Sequence, residues 1–469
     1  MKPQRIRDPI HGLIVFNDDG LVDESVWELL NTPEVQRLRR IKQLGVSEYV
    51  FPSASHTLFA FDRRVPQRAT PRRNPETRDR AQARRSDFDE MRAKVALFAA
   101  LLHDIGHGPF SHSFEEARKA LAAERSTDAA PKPKIRSHEA FTADMIRDGS
   151  GRISEIIAAS GVRPEDVADL VAAETPTDMY HAVVSSSLDA DRLDYLPRDR
   201  YMTGTGAGAI DLDWLMDNVR VEAIDFAPAD SDDADPIYQH SFCLEHKARD
   251  AAEDFLLARY RLYTNVYLHK TTRGIEQMVS AFFRFTARDI NANGRVAGLP
   301  DDHPLVRFFS PEDDGIANYG ALDDTVVWAA LHAVATNGDG IIKRIAGRIL
   351  NRERPICLDV QHAFPEDAEE QRRLKHALDS RFKSQLGEDV FRDSAKLSIY
   401  GEIGADDGRA QKRLMIRMSD HKLKEITHFK DATVAGSERQ RTFDRYYFLD
   451  EASFRMAQSV IDSVRGRRK

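Results

Sequence analysis

Residues 101–114 read LLHDIGHGPFSHSF. Within ten positions they hold three histidines and one aspartate, namely His103, Asp104, His107 and His112. The preceding residues 91–102 are almost continuously apolar after Lys94, which predicts a buried helix that the following glycines end or bend. Imidazole and carboxylate groups together favour a divalent transition metal, whereas Mg²⁺ is usually held by oxygens alone. The segment therefore predicts a metal site at the end of a buried helix, completed by ligands from distant helices.

The rest of the chain predicts mainly helices. Apolar residues recur at three- and four-residue steps, which favours helices at 21–45 (broken at 31–33), from about 137, at 151–173 (broken at 161–164), at 245–284 and, as two segments, at 322–352. Polar stretches at 122–134 and 224–236 predict loops. Later in the chain, strands are expected at 397–403, 413–418 and 445–449, and a helix at 451–464. The predicted architecture is a mainly α domain over residues 1–354 and a smaller α+β region over residues 355–469.

The composition of the 469 residues excludes several classes of protein. Lys and Arg total 68 against 76 Asp and Glu, so the formal net charge of −8 does not support a general nucleic-acid coat. Cys243 and Cys357 are too few for a disulfide framework or a cysteine-rich zinc site. The N-terminal residues lack the apolar run of a signal peptide, and no stretch approaches the roughly 18 apolar residues that span a bilayer. A cytoplasmic protein without a membrane partner is expected.

Six further sequence blocks occur in order around the His-Asp segment. They are DPIHG (8–12), NTPEVQRLRRIKQLG (31–45), YVFPSASHT (49–57), SHEAF (137–141), SSLDADRLDYLPRD (186–199) and YTNVYLHK (263–270). Together the seven blocks resemble the deoxynucleoside triphosphate triphosphohydrolases of the HD superfamily over most of residues 5–285. The resemblance implies an HD-type helical core that hydrolyses a dNTP to a deoxynucleoside and triphosphate. It also implies a divalent metal ion (Mn, Fe, Mg, Co or Zn) and a homo-oligomer.

The resemblance also implies which residues form the active site. The expected metal ligands are His103, Asp104 and Asp191. The expected catalytic residues, one of which exchanges a proton with the attacking water or the departing 5′-oxygen, are His107, His112 and His138. Glu139 is a candidate to orient His138.

A second set of residues is expected to bind the substrate: Gln43, Leu44, Arg192, Tyr195, Asp199, Arg259 and Tyr267. In the family, the tyrosine at the position of Tyr195 packs on the sugar and the aspartate at the position of Asp199 takes the 3′-hydroxyl. Arg259 matches a phosphate-binding arginine, whose forked guanidinium suits phosphate. Asp191, Tyr195 and Asp199 are spaced by four, but Pro197 is expected to end the helix and to leave Asp199 on a turn.

A nucleotide effector is a further partner that the resemblance suggests. The expected effector contacts are Asn31, Gln36 and Arg39. Some relatives read the guanine edge with a carboxylate at the position of Asn31. An amide does not accept from both guanine N–H groups as a carboxylate does, so the sequence predicts an effector site without a defined preference for guanine.

One metal ligand of the family is missing from the sequence. The family pattern resembles HTRFEHSLGV, whereas residues 56–65 read HTLFAFDRRV, so Phe61 replaces a histidine ligand and Leu58 replaces an arginine. His56 is the neighbouring histidine that could substitute. Residues 62–85 then hold nine arginines and three prolines, which forbid a continuous helix. The arginines predict a solvated loop, with a nucleic-acid or polyphosphate contact as the alternative.

Two explanations of this segment stay open. A one-base shift of frame through the codons of residues 60–67 permits His-Ser-Ile-Gly-Val-Phe-His, which resembles the missing block. A frameshifted segment ending near residue 86 is therefore one hypothesis, and a divergent loop is the other; the nucleotide sequence of the gene distinguishes them. Two other functions also stay open. One is a different HD phosphohydrolase, either a phosphodiesterase or a nucleotidase, and the other is a catalytically impaired nucleotide-binding scaffold, which Phe61 would favour.

Overall fold

The computed structural model describes residues 2–17, 22–59, 89–125, 135–173, 178–206, 209–225, 238–310, 315–399, 401–402, 413–435 and 440–466. Phe61 and the arginine-rich segment 62–85 lie outside the described residues, so both hypotheses about this segment stay open. Most of the two predicted loops, at 122–134 and 224–236, also lies outside them.

Helices form most of the described chain. Those before residue 218 are α1 (Asp23–Leu30), α2 (Pro33–Arg37), α3 (Glu90–Leu102), α4 (His112–Arg125), α5 (His138–Arg147), α6 (Arg152–Ala159), α7 (Pro164–Ala172), α8 (Met179–Ala182), α9 (Ala190–Thr203) and α10 (Leu212–Asp217). Those that follow are α11 (Arg249–Leu262), α12 (Lys270–Asn293), α13 (Pro304–Phe309), α14 (Ile316–Gly320), α15 (Asp324–Asn337), α16 (Gly340–Leu350), α17 (Val360–Ala363), α18 (Ala368–Arg381) and α19 (Glu451–Gly466). None of the described helices is both long enough and apolar enough to cross a lipid bilayer.

The described strands form one hairpin and two four-stranded sheets. The hairpin pairs β1 (Gln4–Asp8) with β2 (Gly12–Phe16), with Gln4 opposite Phe16. One sheet has the order β3 (Val219–Asp225), β4 (Tyr238–Glu245), β8 (Met415–Arg417), β9 (Leu423–Glu425), and its β4–β8 pair is parallel. The other is antiparallel, in the order β5 (Ile356–Asp359), β10 (Arg441–Phe448), β6 (Val390–Ser398), β7 (Gly401–Glu402). Since the first sheet takes strands from both sides of residue 355, it ties the two predicted regions together; their division at that residue stays a prediction.

Side-chain caps set where the helices around the site begin. Asp89, Ser137 and Asp189 accept hydrogen bonds from the first-turn N–H groups of α3, α5 and α9, respectively. Such caps satisfy donors that the helix itself leaves unpaired. Because His138 and Asp191 follow two of these caps by one and two residues, the caps also fix their positions.

An aromatic core lies beneath the end of α3. Phe114 on α4 meets Phe283 on α12, with ring centroids 4.9 Å apart. Phe141 on α5 stacks on Tyr319 of α14 at 3.7 Å. All four side chains are buried, or nearly so, and they form the core next to the segment between α3 and α4.

The predicted fold class is confirmed, with a mainly α body and a smaller α+β C-terminal part. The buried helix expected at 91–102 is α3. The prediction that Pro197 ends its helix is wrong, because α9 continues to Thr203 and Asp199 lies on it. Buried Leu193 and Leu196 hold this helix against the core, which outweighs the loss of one backbone hydrogen bond at proline.

Several boundaries also differ from the predictions. The run expected at 245–284 is divided into α11, a π-helical turn at Tyr263–Tyr267 and α12. Helix α4 reaches residue 125, inside the first predicted loop. The hairpin β1–β2 and the pair β3–β4 were not predicted, because their short alternating patterns are weak beside the helical periodicity.

Candidate functional site

Three residues of the predicted metal site come together in the structure. His103 and Asp104 directly follow α3, and Asp191 lies in the first turn of α9. Each offers one ligand atom, and these atoms lie within 4.8 Å of one another. His103 Nε2 is 3.2 Å from Asp104 Oδ1 and 3.7 Å from Asp191 Oδ1. This cluster could hold a metal ion.

The surroundings of His103 fit a cation. Its Nδ1 is held by the carbonyl of Ala100 at 2.9 Å, which turns Nε2 toward the two carboxylates. Nε2 is buried and meets no hydrogen-bond partner within the described residues. Burial opposes protonation of the ring, but Asp104 and Asp191 outweigh it and raise the pKa of His103 to about 10. A bound cation would satisfy Nε2 in place of that proton, and the one-imidazole, two-carboxylate donor set suits a divalent transition metal.

The three predicted catalytic histidines form a second group beside the metal ligands. His107 Nε2 lies 3.2 Å from Asp104 Oδ1, so the two groups share Asp104. The His107 ring stacks on His138 with centroids 4.0 Å apart and meets His112 edge-on at 6.0 Å. Because stacked rings cannot all be protonated without repulsion, these histidines must differ in pKa.

The charges around each ring decide how the pKa values differ. Burial, together with His107 and His138, lowers the pKa of His112 to about 4. Burial acts on His138 in the same direction, but Glu115 and Glu139 outweigh it and raise its pKa. Glu115 Oε2 is 3.5 Å from His138 Nδ1, and Glu139 Oε1 is 3.1 Å from Nε2. Glu139 was considered from the sequence, whereas Glu115, three residues after His112, was missed.

Close backbone packing shapes the loop that carries the His-Asp pair. A Cβ on Gly106 would lie 2.2 Å from the carbonyl oxygen of His138, and a Cβ on Gly108 would lie 2.5 Å from the Phe114 ring. Both positions therefore require glycine. Phe110 and Ser111 adopt left-handed backbone conformations with φ of 54° and 46°, so the turn into α4 carries strain.

Distant side chains hold this loop in place. Buried Arg37 donates to the carbonyls of Leu322, Ile105 and His107 at 2.7, 3.0 and 2.7 Å. Asp324 accepts from the N–H of Phe110 at 2.7 Å and from that of Lys42 at 2.9 Å, which joins the loop to the KQLG block. Neither role was predicted, because the partners are far apart in sequence.

The predicted sugar-side residues meet on α9 and the π-helical turn. Asp199 Oδ2 accepts from Tyr267 Oη at 2.5 Å, and its Oδ1 lies 2.7 Å from His56 Nε2. His56 therefore pairs with Asp199 and does not join the metal cluster. The rings of Tyr195 and Tyr267 are 6.4 Å apart, and the buried Arg259 guanidinium lies 5.7 Å from the Tyr263 ring.

The other predicted substrate residues lie in different environments. A cleft with about 660 Å³ of open space is lined by Gln43, the metal cluster and Asp194, and the rest of its wall is apolar and includes Leu58. Leu44 is buried in a neighbouring apolar cluster. Arg192 forms an ion pair with Asp189 and donates to the carbonyl of Ser186 at 2.6 Å.

The three predicted effector residues lie on consecutive parts of the chain: Asn31 directly follows α1, Gln36 is in α2, and Arg39 is in the turn after α2. Asn31 is exposed and donates to the carbonyl of Trp27 at 2.7 Å. Arg39 donates to Gln36 at 2.9 Å, and its guanidinium lies 3.6 Å from the Phe59 ring. Their effector role stays a prediction.

The DPIHG block forms a charge network that the sequence did not reveal. Arg198 donates to both oxygens of Asp194 at 2.9 and 2.8 Å and to Asp8 at 2.7 Å. His11 Nε2 lies 2.5 Å from Asp194 Oδ1. The hairpin is thereby fixed to α9, the helix that carries Asp191. The i, i+4 spacing of Asp194 and Arg198 was the available signal.

The mainly helical fold, with a His-Asp pair at the end of a buried helix, agrees with the class of HD domains. Residues 78–200 match the HD domain family, and residues 236–319 match the HD associated region. The chain therefore contains an HD domain followed by an HD associated region.

Several known proteins are similar to this chain. The uncharacterized protein YwfO of Bacillus subtilis is 29% identical over 350 residues, which are 74% of this chain and 70% of YwfO. The deoxynucleoside triphosphate triphosphohydrolase SAMHD1 homolog of Dictyostelium discoideum is 28% identical over 295 residues, and human SAMHD1 is 26% identical over 304 residues. These matches cover 59% of this chain in both cases, and 48% and 44% of the two relatives, so the chain spans about half the length of each.

Two crystal structures share the fold. A phosphohydrolase from Bacteroides thetaiotaomicron superposes with a TM-score of 0.67 at 24% identity, over 95% of this chain and 100% of that one. A hypothetical protein from Aquifex aeolicus gives 0.65 at 22% identity, over 98% and 100%. At these identities the superpositions support the fold alone.

Proposed function

We propose that the protein is a metal-dependent dNTP triphosphohydrolase. The observation that carries the proposal is that the metal cluster adjoins the three histidines through Asp104, and that Asp191 of this cluster shares helix α9 with Asp199, which Tyr267 contacts. The similarity to proteins named deoxynucleoside triphosphate triphosphohydrolases supports the choice of substrate.

The reaction uses one water molecule. Its oxygen bonds to the α-phosphorus, the bond from that phosphorus to the 5′-oxygen breaks, and the products are a deoxynucleoside and inorganic triphosphate. A cation held by His103, Asp104 and Asp191 would neutralise phosphate charge and lower the pKa of bound water.

His138 is suited to deliver the proton that the departing 5′-oxygen needs. Its two ring nitrogens face Glu115 and Glu139, and both carboxylates favour the protonated ring. Burial and the neighbouring rings lower the pKa values of the adjacent His107 and His112, which favours their neutral form and leaves each a lone pair that can accept a hydrogen bond. The group therefore combines one histidine whose surroundings favour the protonated ring with two whose surroundings favour the neutral ring.

The remaining residues hold the substrate. Asp191 and Asp199 are eight residues apart on α9, which is roughly 12 Å along the helix axis. A metal ion, a phosphate and a deoxyribose together suit that span. Arg259 carries a positive charge for the phosphate chain, and Tyr195 offers a ring face to the sugar.

Product analysis tests the proposal. The purified protein is incubated with each dNTP and with Mn, Fe, Mg, Co or Zn, with and without added nucleotides, and the phosphorus products are separated by ion exchange. We expect deoxynucleoside and triphosphate in equal amounts, and no product from the matched variant Asp104→Asn. Pyrophosphate, orthophosphate or hydrolysis of a phosphodiester would favour the other HD reactions. Nucleotide binding without metal or turnover would favour the scaffold.

A further inference from the structure

Asp199 is held from two sides by side chains of different segments. It is 1% exposed, and each of its carboxylate oxygens has its own partner. Tyr267 donates to Oδ2 from the π-helical turn, and His56 Nε2 donates to Oδ1 from the YVFPSASHT block. The carboxylate can therefore neither rotate nor shift without losing a hydrogen bond.

His56 is itself anchored beside the cleft. Its carbonyl accepts from the N–H of Gln43 at 3.0 Å, and Gln43 lines the cleft together with the metal cluster. The His56 side chain is 9% exposed. Its Nδ1 is buried and meets no hydrogen-bond partner among the described residues, so the Nε2 contact to Asp199 is the ring's one polar contact there.

The two donors also act on the charge of Asp199. Burial raises the pKa of this carboxyl above its ordinary value, and the hydrogen bonds from His56 and Tyr267 limit that rise. An ionised carboxylate accepts hydrogen bonds at both oxygens, and each oxygen keeps a second lone pair for a ligand hydroxyl. Loss of His56 would free Oδ1 and favour the protonated acid, which is a poorer acceptor.

We propose that His56 is a positioning residue that holds the Asp199 carboxylate for the 3′-hydroxyl and thereby makes the site select 3′-hydroxylated nucleotides. This inference rests on the proposed function, in which Asp199 receives that hydroxyl. It gives His56 a role on the sugar side, in contrast to the metal-binding role that the sequence offered for it.

The test compares each dNTP with the 2′,3′-dideoxy nucleotide of the same base. For the unmodified protein we expect a clear preference for the dNTP, since a site built for a hydroxyl discriminates against an analogue that lacks it. For His56→Ala we expect the ratio of the two kcat/KM values to fall at least about tenfold, because a hydrogen bond to a charged group is lost. The dideoxy nucleotide should be hydrolysed at nearly the same rate by both proteins.

His56→Gln is the rescue variant, because its amide N–H can reach Asp199 from the same side. His376→Ala is the matched control, since His376 is exposed on α18. If His56→Ala does not fold, His56→Asn is used in its place, because the asparagine side chain is too short to reach Asp199. The inference would be overturned if His56→Ala lost kcat/KM equally on both nucleotides, so that the ratio stayed unchanged. It would also be overturned if the unmodified protein showed no preference for the dNTP over the dideoxy nucleotide. If the unmodified protein releases no triphosphate from any dNTP, the proposed function fails instead.

Discussion

Replacement of Arg37 by alanine should destabilise the protein strongly. The guanidinium is buried and donates to three carbonyls, at 2.7, 3.0 and 2.7 Å. Two of these carbonyls, of Ile105 and His107, belong to the His-Asp loop. A buried acceptor that loses its donor costs about 1–3 kcal/mol. Because the loop can relax and admit water at some of the three carbonyls, we expect the free energy of unfolding to fall by about 3–6 kcal/mol. This loss is a large share of the roughly 5–15 kcal/mol that is typical of a folded protein.

Urea denaturation followed by far-UV circular dichroism measures this loss. The matched control is Arg40→Ala, because Arg40 pairs with Asp323 at 2.5 Å but its side chain is half exposed. Such surface pairs contribute about 0–1 kcal/mol. Arg37→Met, which fills the space without donors, should not restore stability. A loss below about 1 kcal/mol for Arg37→Ala, or an equal loss for the control, would refute the reasoning.

Three further predictions concern the site. His103→Ala should abolish metal binding measured by calorimetry, and a chelator should abolish hydrolysis in the unmodified protein. If the variant bound metal as well as the unmodified protein does, His103 would not be a metal ligand. His138→Ala should lower kcat by about 10²–10⁴-fold while nucleotide affinity changes little, as measured in steady-state kinetics and equilibrium binding, and an unchanged kcat would exclude it as the proton donor. Burial raises the pKa of Asp324 from 3.8 to about 6, so its contribution to folding is present below pH 3.8 and is lost as pH rises through 6. Relative to Asp324→Asn, the unmodified protein should therefore gain about 1.4 kcal/mol of stability between pH 7.5 and pH 5, and equal stability curves would contradict this.

Local sequence patterns predicted the elements whose signals are local. The apolar run before His103 identified α3 to within one residue. The prediction that Pro197 ends its helix was wrong, because the effect of this proline on α9 depends on burial of the flanking leucines, which the sequence does not show. The pair β3–β4 was missed because its alternating pattern is short, and the pairing of β4 with β8 was missed because these strands are far apart in sequence.

In the candidate site, too, local sequence patterns predicted some residues and missed those that depend on distant partners. His103, Asp104 and Asp191 were chosen from sequence blocks, and the structure brings them together. Arg37 was not chosen, since its acceptors are 68, 70 and 285 residues away and an arginine in a helix is usually a surface residue. The residues that position a site are therefore harder to predict than the residues that form it.

Helix α9 shows why partners, more than residue type, decide the role of each carboxylate. Asp194 is neutralised by Arg198 and His11, so it holds the hairpin and has little charge left for a ligand. Asp199 is buried between two donors, which suits it to receive one hydroxyl in a fixed geometry. The Asp191 side chain is 39% exposed and its Oδ1 lies 3.7 Å from His103 Nε2, so of the three its charge is the most available to a cation. The different surroundings of three aspartates on one helix thus suit one to a structural role and the other two to the recognition and metal-binding roles proposed for them.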